Sequence, residues 1–388
     1  MLIPLLGAAG WWYFREQPLP DYGPAYREYA YVSNGKSNTV TVIDLRTFQL
    51  SKTIAVGVSP TGIAANSTKN EIYVVNSGSN NVSIIDAEKN SVVATIGVQG
   101  RPYFIDVSKD GKRGYVANSG SANVSVIDLE KHMVLGNVRV GAEPGLARVS
   151  PDGSTVVVSN RGDNTVSVID TKWLRVRATL QVCQQPEDIV ILPDSNKAFV
   201  ACSGSSQVAS IALAPGNNGG EPAGDRVLAL LDVGRTPVNL ALKPDGGELM
   251  VCDFDSDSVS IIETANDEVA SSVLIGQHPA RGVVTLDNSR LYVSNFGSDS
   301  VAVYDIDLGK RIATMPVGSH PDGLALSQDQ RYLLVLDTQA GDVTVIQKRT
   351  ARKLEPTEYS LLTMIPVGMQ PNGIAVKSFM ASKHVATK

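Results

Sequence analysis

Histidine and cysteine are scarce in this 388-residue chain, with four of the first and three of the second. Three cysteines exclude a scaffold built on disulfides. Cys183, Cys202 and Cys252 stand at spacings that match no zinc motif, and they read as buried free thiols. Charge of one sign is lacking too. The net charge of −5 gives no electrostatic case for binding nucleic acid. The N-terminal apolar run from Leu2 to Phe14 is about 13 residues long, where about 20 are needed to cross a bilayer. There is no G-x-S-x-G, H-E-x-x-H, G-x-G-x-x-G or P-loop, and no C-x-x-C-H for covalent haem. What remains is 43% hydrophobic and 19% charged, with mean hydropathy near zero. That excludes global disorder and leaves enough apolar surface for a large core. The length allows two ordinary domains or one large all-β domain. Scattered glycine and proline point to turn chemistry and favour the second.

The chain repeats itself. Val56-Gly57-Val58-Ser59-Pro60 is followed by prolines at 102, 144 and 186, each 42 residues on, and then by Pro237, Pro279, Pro321 and Pro371. A second marker keeps the same register. Tyr31-Val-Ser-Asn34 recurs as Tyr73-Val-Val-Asn76 and Tyr115-Val-Ala-Asn118, and it persists in degraded form to Leu334-Val-Leu-Asp337. Each unit reads as four short strands with no helical period. The first follows the proline and the second is Tyr-Val-x-Asn. The third resembles Val82-Ser-Ile-Ile-Asp86, and the fourth resembles Val92 to Val98. Turns such as Asp110-Gly111 join the first strand to the second. Four strands in about 42 residues make a propeller blade. The Asp closing each third strand (Asp44, Asp86, Asp128, Asp170) is expected to bind turn amides.

Counting strands predicts the closure. Seven complete blades lie between an entry at a second strand, Tyr29 to Ser33, and an exit after a first strand, Gly373 to Val376. The leftover strands at the two ends add up to an eighth blade, which would tie the termini into one sheet. The expectation is an all-β, eight-bladed propeller over 29–378, with an N-terminal segment 1–28 and a tail 379–388; seven blades would result if the end strands did not pair.

The Tyr-Val-x-Asn strand, the Asn-x-Val-Ser-Val-Ile-Asp strand and the Val-Gly-x-x-Pro-x-Gly-Ile-Ala turn resemble the YVTN family of β-propeller repeats over roughly residues 29 to 376. The resemblance implies an exported or surface protein, and family members typically have seven blades. A more distant similarity is to the eight-bladed haem d1 propeller of cytochrome cd1 nitrite reductase. A fold shared by many functions does not itself assign one.

Several features lie outside the regular repeat. Leu2 to Phe14, with small residues at Gly7-Ala-Ala-Gly10, reads as the core of an export signal or a membrane anchor, and Pro18 to Pro24 as a linker. Pro215 to Gly224 and the basic Lys348 to Lys353 read as solvated loops between third and fourth strands. Asp253-Phe-Asp-Ser-Asp257 has the alternating carboxylates of a calcium loop without its glycine and distal glutamate, and reads as a polar turn.

Propeller geometry gathers the loops from fourth to first strand around one mouth of the central channel. The residues flanking their prolines differ from blade to blade, while the frame does not. Variable polar residues on a constant scaffold suggest a recognition surface. The candidates are Arg101, Tyr103, Glu187, Asp188, Asn239, His278, Arg281, His320, Asp322 and Asn372. Arg101 and Arg281 suit an anionic group. His278 and His320 occupy one position on adjacent blades, where a metal or a haem d1 could be held, although the sequence itself demands no cofactor. Arg148 and Asp106 stand at equivalent first-strand positions and read as an interblade ion pair. The leading expectation is an exported, periplasmic or cell-surface propeller that binds a protein or small ligand at the rim without catalysis. It would touch a membrane only through an uncleaved N-terminus. A haem d1- or quinone-type cofactor propeller is the alternative, and a lactonase-like hydrolase the third.

Overall fold

The computed structural model describes residues 22–214, 224–349 and 358–382. The apolar run Leu2 to Phe14, and most of the two insertions, lie outside the described residues. Eight four-stranded antiparallel sheets form a ring. The innermost strands are Pro60–Ala65, Pro102–Val107, Pro144–Val149, Pro186–Ile191, Pro237–Leu242, Pro279–Val284, Pro321–Leu326 and Pro371–Met380. Each packs against the next, and the last returns to the first. We number the blades 1 to 8 in that order. Among the described residues the only helical turn is a 3-10 turn at Phe254–Ser256, and no helix is long and apolar enough to cross a membrane.

Blade 8 is made from both ends of the chain. Tyr26–Asn34, Thr39–Asp44 and Gln49–Ala55 supply its outer three strands, and Pro371–Met380 pairs antiparallel with the first of them. The pairing runs from Tyr26↔Met380 to Asn34↔Pro371. These strands are longer than the sequence pattern suggested, because pairing continues past the repeat: Phe379 is buried against Tyr29 and Tyr31.

The sheets stand face to face, so second and third strands are covered on both sides. Their apolar runs are therefore continuous rather than alternating, as in Ile72–Val75 and Val82–Ile85. The tyrosine of the second strand fills the gap between blades: Tyr31, Tyr73, Tyr115 and Tyr292 are almost fully buried. Their hydroxyls still need partners. Tyr31 donates to Asn90 Oδ1 at 2.7 Å in blade 1, and Tyr73 donates to Glu71 while accepting from Asn66. Fourth strands lie outermost and alternate with solvent. Every third-to-fourth pairing carries a register shift, such as that between Ile84 and Ile85, which blunts the exposed edge. The closing aspartates bind turn amides as expected, with Asp86 Oδ1 accepting from Glu88 and Lys89 and Asp170 Oδ1 from Lys172 and Trp173.

The cysteine expectation is corrected. Cys183 and Cys202 are joined in a disulfide, and only Cys252 is a free, buried thiol. The repeat explains the pairing. In most other blades the turn glycine abuts the residue that ends the second strand: a Cβ built on Gly57 would lie 2.6 Å from Cβ of Asn76, and one on Gly234 would lie 2.6 Å from Cβ of Asp253. The two positions lie close enough for a covalent bond between their side chains. Blade 4 replaces glycine by Cys183 and asparagine by Cys202, at the same sequence separation of 19.

Candidate functional site

The loops from fourth to first strand share an unusual backbone. The residue before each proline (Ser59, Arg101, Glu143, Gln185, Thr236, His278, His320 and Gln370) has a φ between 47° and 54°, and none is glycine. Left-handed backbone costs an ordinary residue about 1–2 kcal/mol, so something must hold it. Each of these carbonyls accepts the N–H of the residue that follows the second strand, as in Ser77 to Ser59 at 3.0 Å and Phe296 to His278 at 2.9 Å. In five of them the N–H also donates to a side chain of the preceding blade, such as Asn80 Oδ1 for Arg101 and Asp257 Oδ1 for His278. This clamp fixes the next two residues of every blade at the channel mouth.

A chamber of about 300 Å³ opens there, with residues from all eight blades in its wall. Seven of the ten candidates line it: Tyr103, Glu187, Asp188, Asn239, Arg281, Asp322 and Asn372. Arg101, His278 and His320 do not. They occupy the left-handed position, one residue too early to face the channel. His278 stacks on Phe254 with ring centroids 4.6 Å apart, and His320 lies against Phe296 at 4.4 Å. The two phenylalanine rings lie between the histidines, themselves 6.0 Å apart. Among the described residues no cluster of three metal-ligating side chains occurs. The carboxylates of Asp253–Asp257 diverge: Asp253 accepts from Ser260, Asp255 from Thr236, and Asp257 from the His278 N–H.

Two arginines complete the chamber. Arg148 lies with its guanidinium 4.7 Å from the Phe104 ring centre, 3.5 Å from Asp188 and 3.9 Å from Asp106. The expected interblade pair with Asp106 is therefore present, but the same head also lines the chamber. Arg161 lies 3.5 Å from Glu187. It follows the second strand of blade 3, where the other blades carry Gly35, Ser77, Ser119, Ser203, Phe254, Phe296 and Thr338. That departure from the aligned position was the available signal, and attention to the proline loops alone passes it by.

The carboxylates divide into two kinds. Asp188 is buried and accepts from Asn239 Nδ2 at 2.7 Å and from the N–H groups of Ile189 and Leu240. Asp106 accepts from Val149 N, and burial raises its carboxyl above the ordinary range. These two knit the inner strands together. Glu187 and Asp322 have looser partners. Glu187 takes Ser203 at 3.3 Å and Arg161 at 3.5 Å, and burial raises it against the pull of Arg161. Asp322 takes only Arg281, at 3.2 Å. For Arg281, burial weighs against the charge while Asp322 and Asp188 more than restore it. Burial pushes the nearby Cys252 thiol up, so it stays protonated.

No curated protein matches the chain. Among solved structures, hydrazine synthase of Kuenenia stuttgartiensis is 24% identical, with a TM-score of 0.58 over 71% of this chain and 91% of that one. Dihydro-haem d1 dehydrogenase NirN in complex with DHE is 14% identical, with a TM-score of 0.69 over 89% of this chain and 74% of that one. A candidate 6-phosphogluconolactonase from Bacteroides uniformis is 18% identical, with a TM-score of 0.59 over 82% and 98%. At these identities the likeness is one of fold. The family model for YNCE-like beta-propellers matches residues 8–149 and 144–361, most of the ring, and the chain belongs to that family.

Proposed function

We propose that this propeller is an exported binding protein that holds a ligand in the chamber at its channel mouth. One observation carries the reading: blades with a common backbone bring Tyr103, Glu187, Arg281, Asp322 and two further arginines to one concave space, beside the Asp188–Asn239 pair that ties the inner strands. A purely structural mouth would be served by the same small side chain eight times. Half-buried ion pairs are poor stabilisers, since desolvation offsets much of their attraction, so their gathering here suits recognition better than folding. A polar set in a concave, partly apolar wall is the usual form of a small-molecule site. Export is supported by the Cys183–Cys202 disulfide, a bond that persists in oxidising compartments.

The test is a thermal-shift screen against small metabolites, followed by calorimetry. A ligand that stabilises the protein should bind at least tenfold more weakly to Arg281→Ala. Lys109→Ala, in a first-to-second loop on the opposite face, should leave its affinity unchanged. The reverse pattern would move the site to the other face.

A further inference from the structure

We infer that the chamber selects a small organic oxyanion, a carboxylate or phosphate ester with an apolar body; this rests on the channel mouth being the binding site. The inference comes from counting which charges are already committed. Asp188 accepts from Asn239, from two backbone N–H groups and, at 3.5 Å, from Arg148, and Asp106 takes a backbone N–H. Asp188 is thus filled by the protein itself. The arginines are the opposite case. The Arg281 guanidinium makes one hydrogen bond, to Asp322 at 3.2 Å, while Arg148 and Arg161 reach carboxylates at 3.5 Å or beyond. A committed arginine looks different in this same protein. Arg177 grips Asp225 with two bonds of 2.8 Å and also donates to Ala214 O.

A guanidinium has five N–H donors. The three chamber arginines therefore keep most of their donors without a protein acceptor among the described residues. Four carboxylates face the three arginines, but only Glu187 and Asp322 are loosely held. Counted by formal charge the cluster is not cationic, but the guanidinium donors outnumber the hydrogen bonds they make among the described residues, and an oxyanion supplies the missing acceptors. Arg148 and Arg161 stand on blade 3 and Arg281 on blade 6, so guanidinium forks, each able to grip two oxygens of one oxyanion, line the chamber from two sides. Ile63, Phe104, Leu146 and Ile374 supply apolar wall between them. A bare inorganic ion would leave that wall uncovered.

The experiment uses four probes of matched size and different charge: benzoate, phenyl phosphate, the cation benzamidine and neutral benzyl alcohol. Inorganic phosphate is a fifth arm. Calorimetry at millimolar probe on the intact protein should show binding of benzoate or phenyl phosphate and none of benzamidine. The tighter of the two anions assigns carboxylate or phosphate. Arg281→Ala should weaken anion binding at least tenfold. Arg161→Ala, in a half-exposed loop, should weaken it independently, which guards against a fold defect in the first variant. Binding of benzamidine or benzyl alcohol as tightly as the anions, still lost in Leu146→Arg, would overturn the anion class and keep the site. Inorganic phosphate binding as tightly as phenyl phosphate would overturn the apolar body. Failure of every probe to bind, or binding indifferent to Arg281, Arg161 and Leu146, would overturn the site as well. Capture of a protein by its C-terminal carboxylate, with no small anion competing, would replace the small molecule by a partner chain.

Discussion

Replacing Asp337 by asparagine should stabilise this protein, and increasingly so as pH rises. The second strand of blades 1, 2, 3, 6 and 8 ends in asparagine, but in blade 7 it ends in Asp337. The chain then turns back to Asp342, its direct register partner. Blade 2 shows what the site is built for. There Asn118 Nδ2 donates to Asn123 Oδ1 and to Ser125 Oγ, both at 2.8 Å. In blade 7, Thr344 donates to Asp337 Oδ2 at 2.6 Å; Asp337 Oδ1 is buried without a hydrogen-bond partner, as Asn118 Oδ1 is in blade 2, but here Oδ1 of Asp342 is orphaned as well. Burial first, and the neighbouring Asp342 with it, raise the Asp337 carboxyl well above the ordinary aspartate range. The folded state thus keeps a proton that the unfolded chain gives up. Stability from this group is greatest at acid pH and falls as pH rises from the ordinary aspartate value toward the raised one. The asparagine variant cannot ionise here, and its amide would donate to Asp342 as Asn118 does to Asn123. The proton that the folded wild type must hold costs about 1.4 kcal/mol for each pH unit above the ordinary aspartate value, so Asp337→Asn should gain at least about 2 kcal/mol at pH 8 and little at pH 4. Urea unfolding of both proteins at the two pH values measures it. An equal difference at both pH values, or a loss at pH 8, would refute the reasoning.

Two further outcomes follow from the same geometry. Cys183→Ala with Cys202→Ala should cost about 3 kcal/mol, the scale for closing a loop of this size, whereas Cys183→Gly with Cys202→Asn should recover part of it by restoring the pair found at Gly57 and Asn76; urea midpoints of the three proteins decide, and equal losses in both double variants would contradict the account of the disulfide. Mass spectrometry of the protein isolated from its native host should show a mature start after residue 7 and before Tyr26, where the blade 8 strand begins, and an intact Met1 in a cytoplasmic fraction would contradict export.

The architecture was legible because two markers, the proline turn and Tyr-Val-x-Asn, keep one register through all eight blades, including the one shared between the termini. The candidate site was legible in part. Glu187, Asp188, Arg281 and Asp322 follow the proline, where the inner strand begins, and the strand's position alone points them at the channel. Arg101, His278 and His320 precede it by one residue. Nothing in Ser, Arg, Glu, Gln, Thr and His announces a left-handed backbone, since the clamp that holds it is made by a neighbouring blade's side chains and the chain's own carbonyls. Arg148 and Arg161 enter from other positions, which only the closed ring brings together. The disulfide was hidden for a different reason. Comparing the cysteines with one another showed no motif, whereas aligning each with its blade equivalents places Cys183 on a glycine and Cys202 on an asparagine that touch in most of the other blades.

The central claim is that the ligand sits in the channel mouth. A crystal structure of the protein purified from its native host, with its ligand retained, addresses it most directly. The account predicts density within the chamber, contacted by Arg281 and by at least one of Arg148 and Arg161. Density seated instead on the ring row of His278, Phe254, Phe296 and His320, with the chamber arginines still paired to their carboxylates, would contradict it.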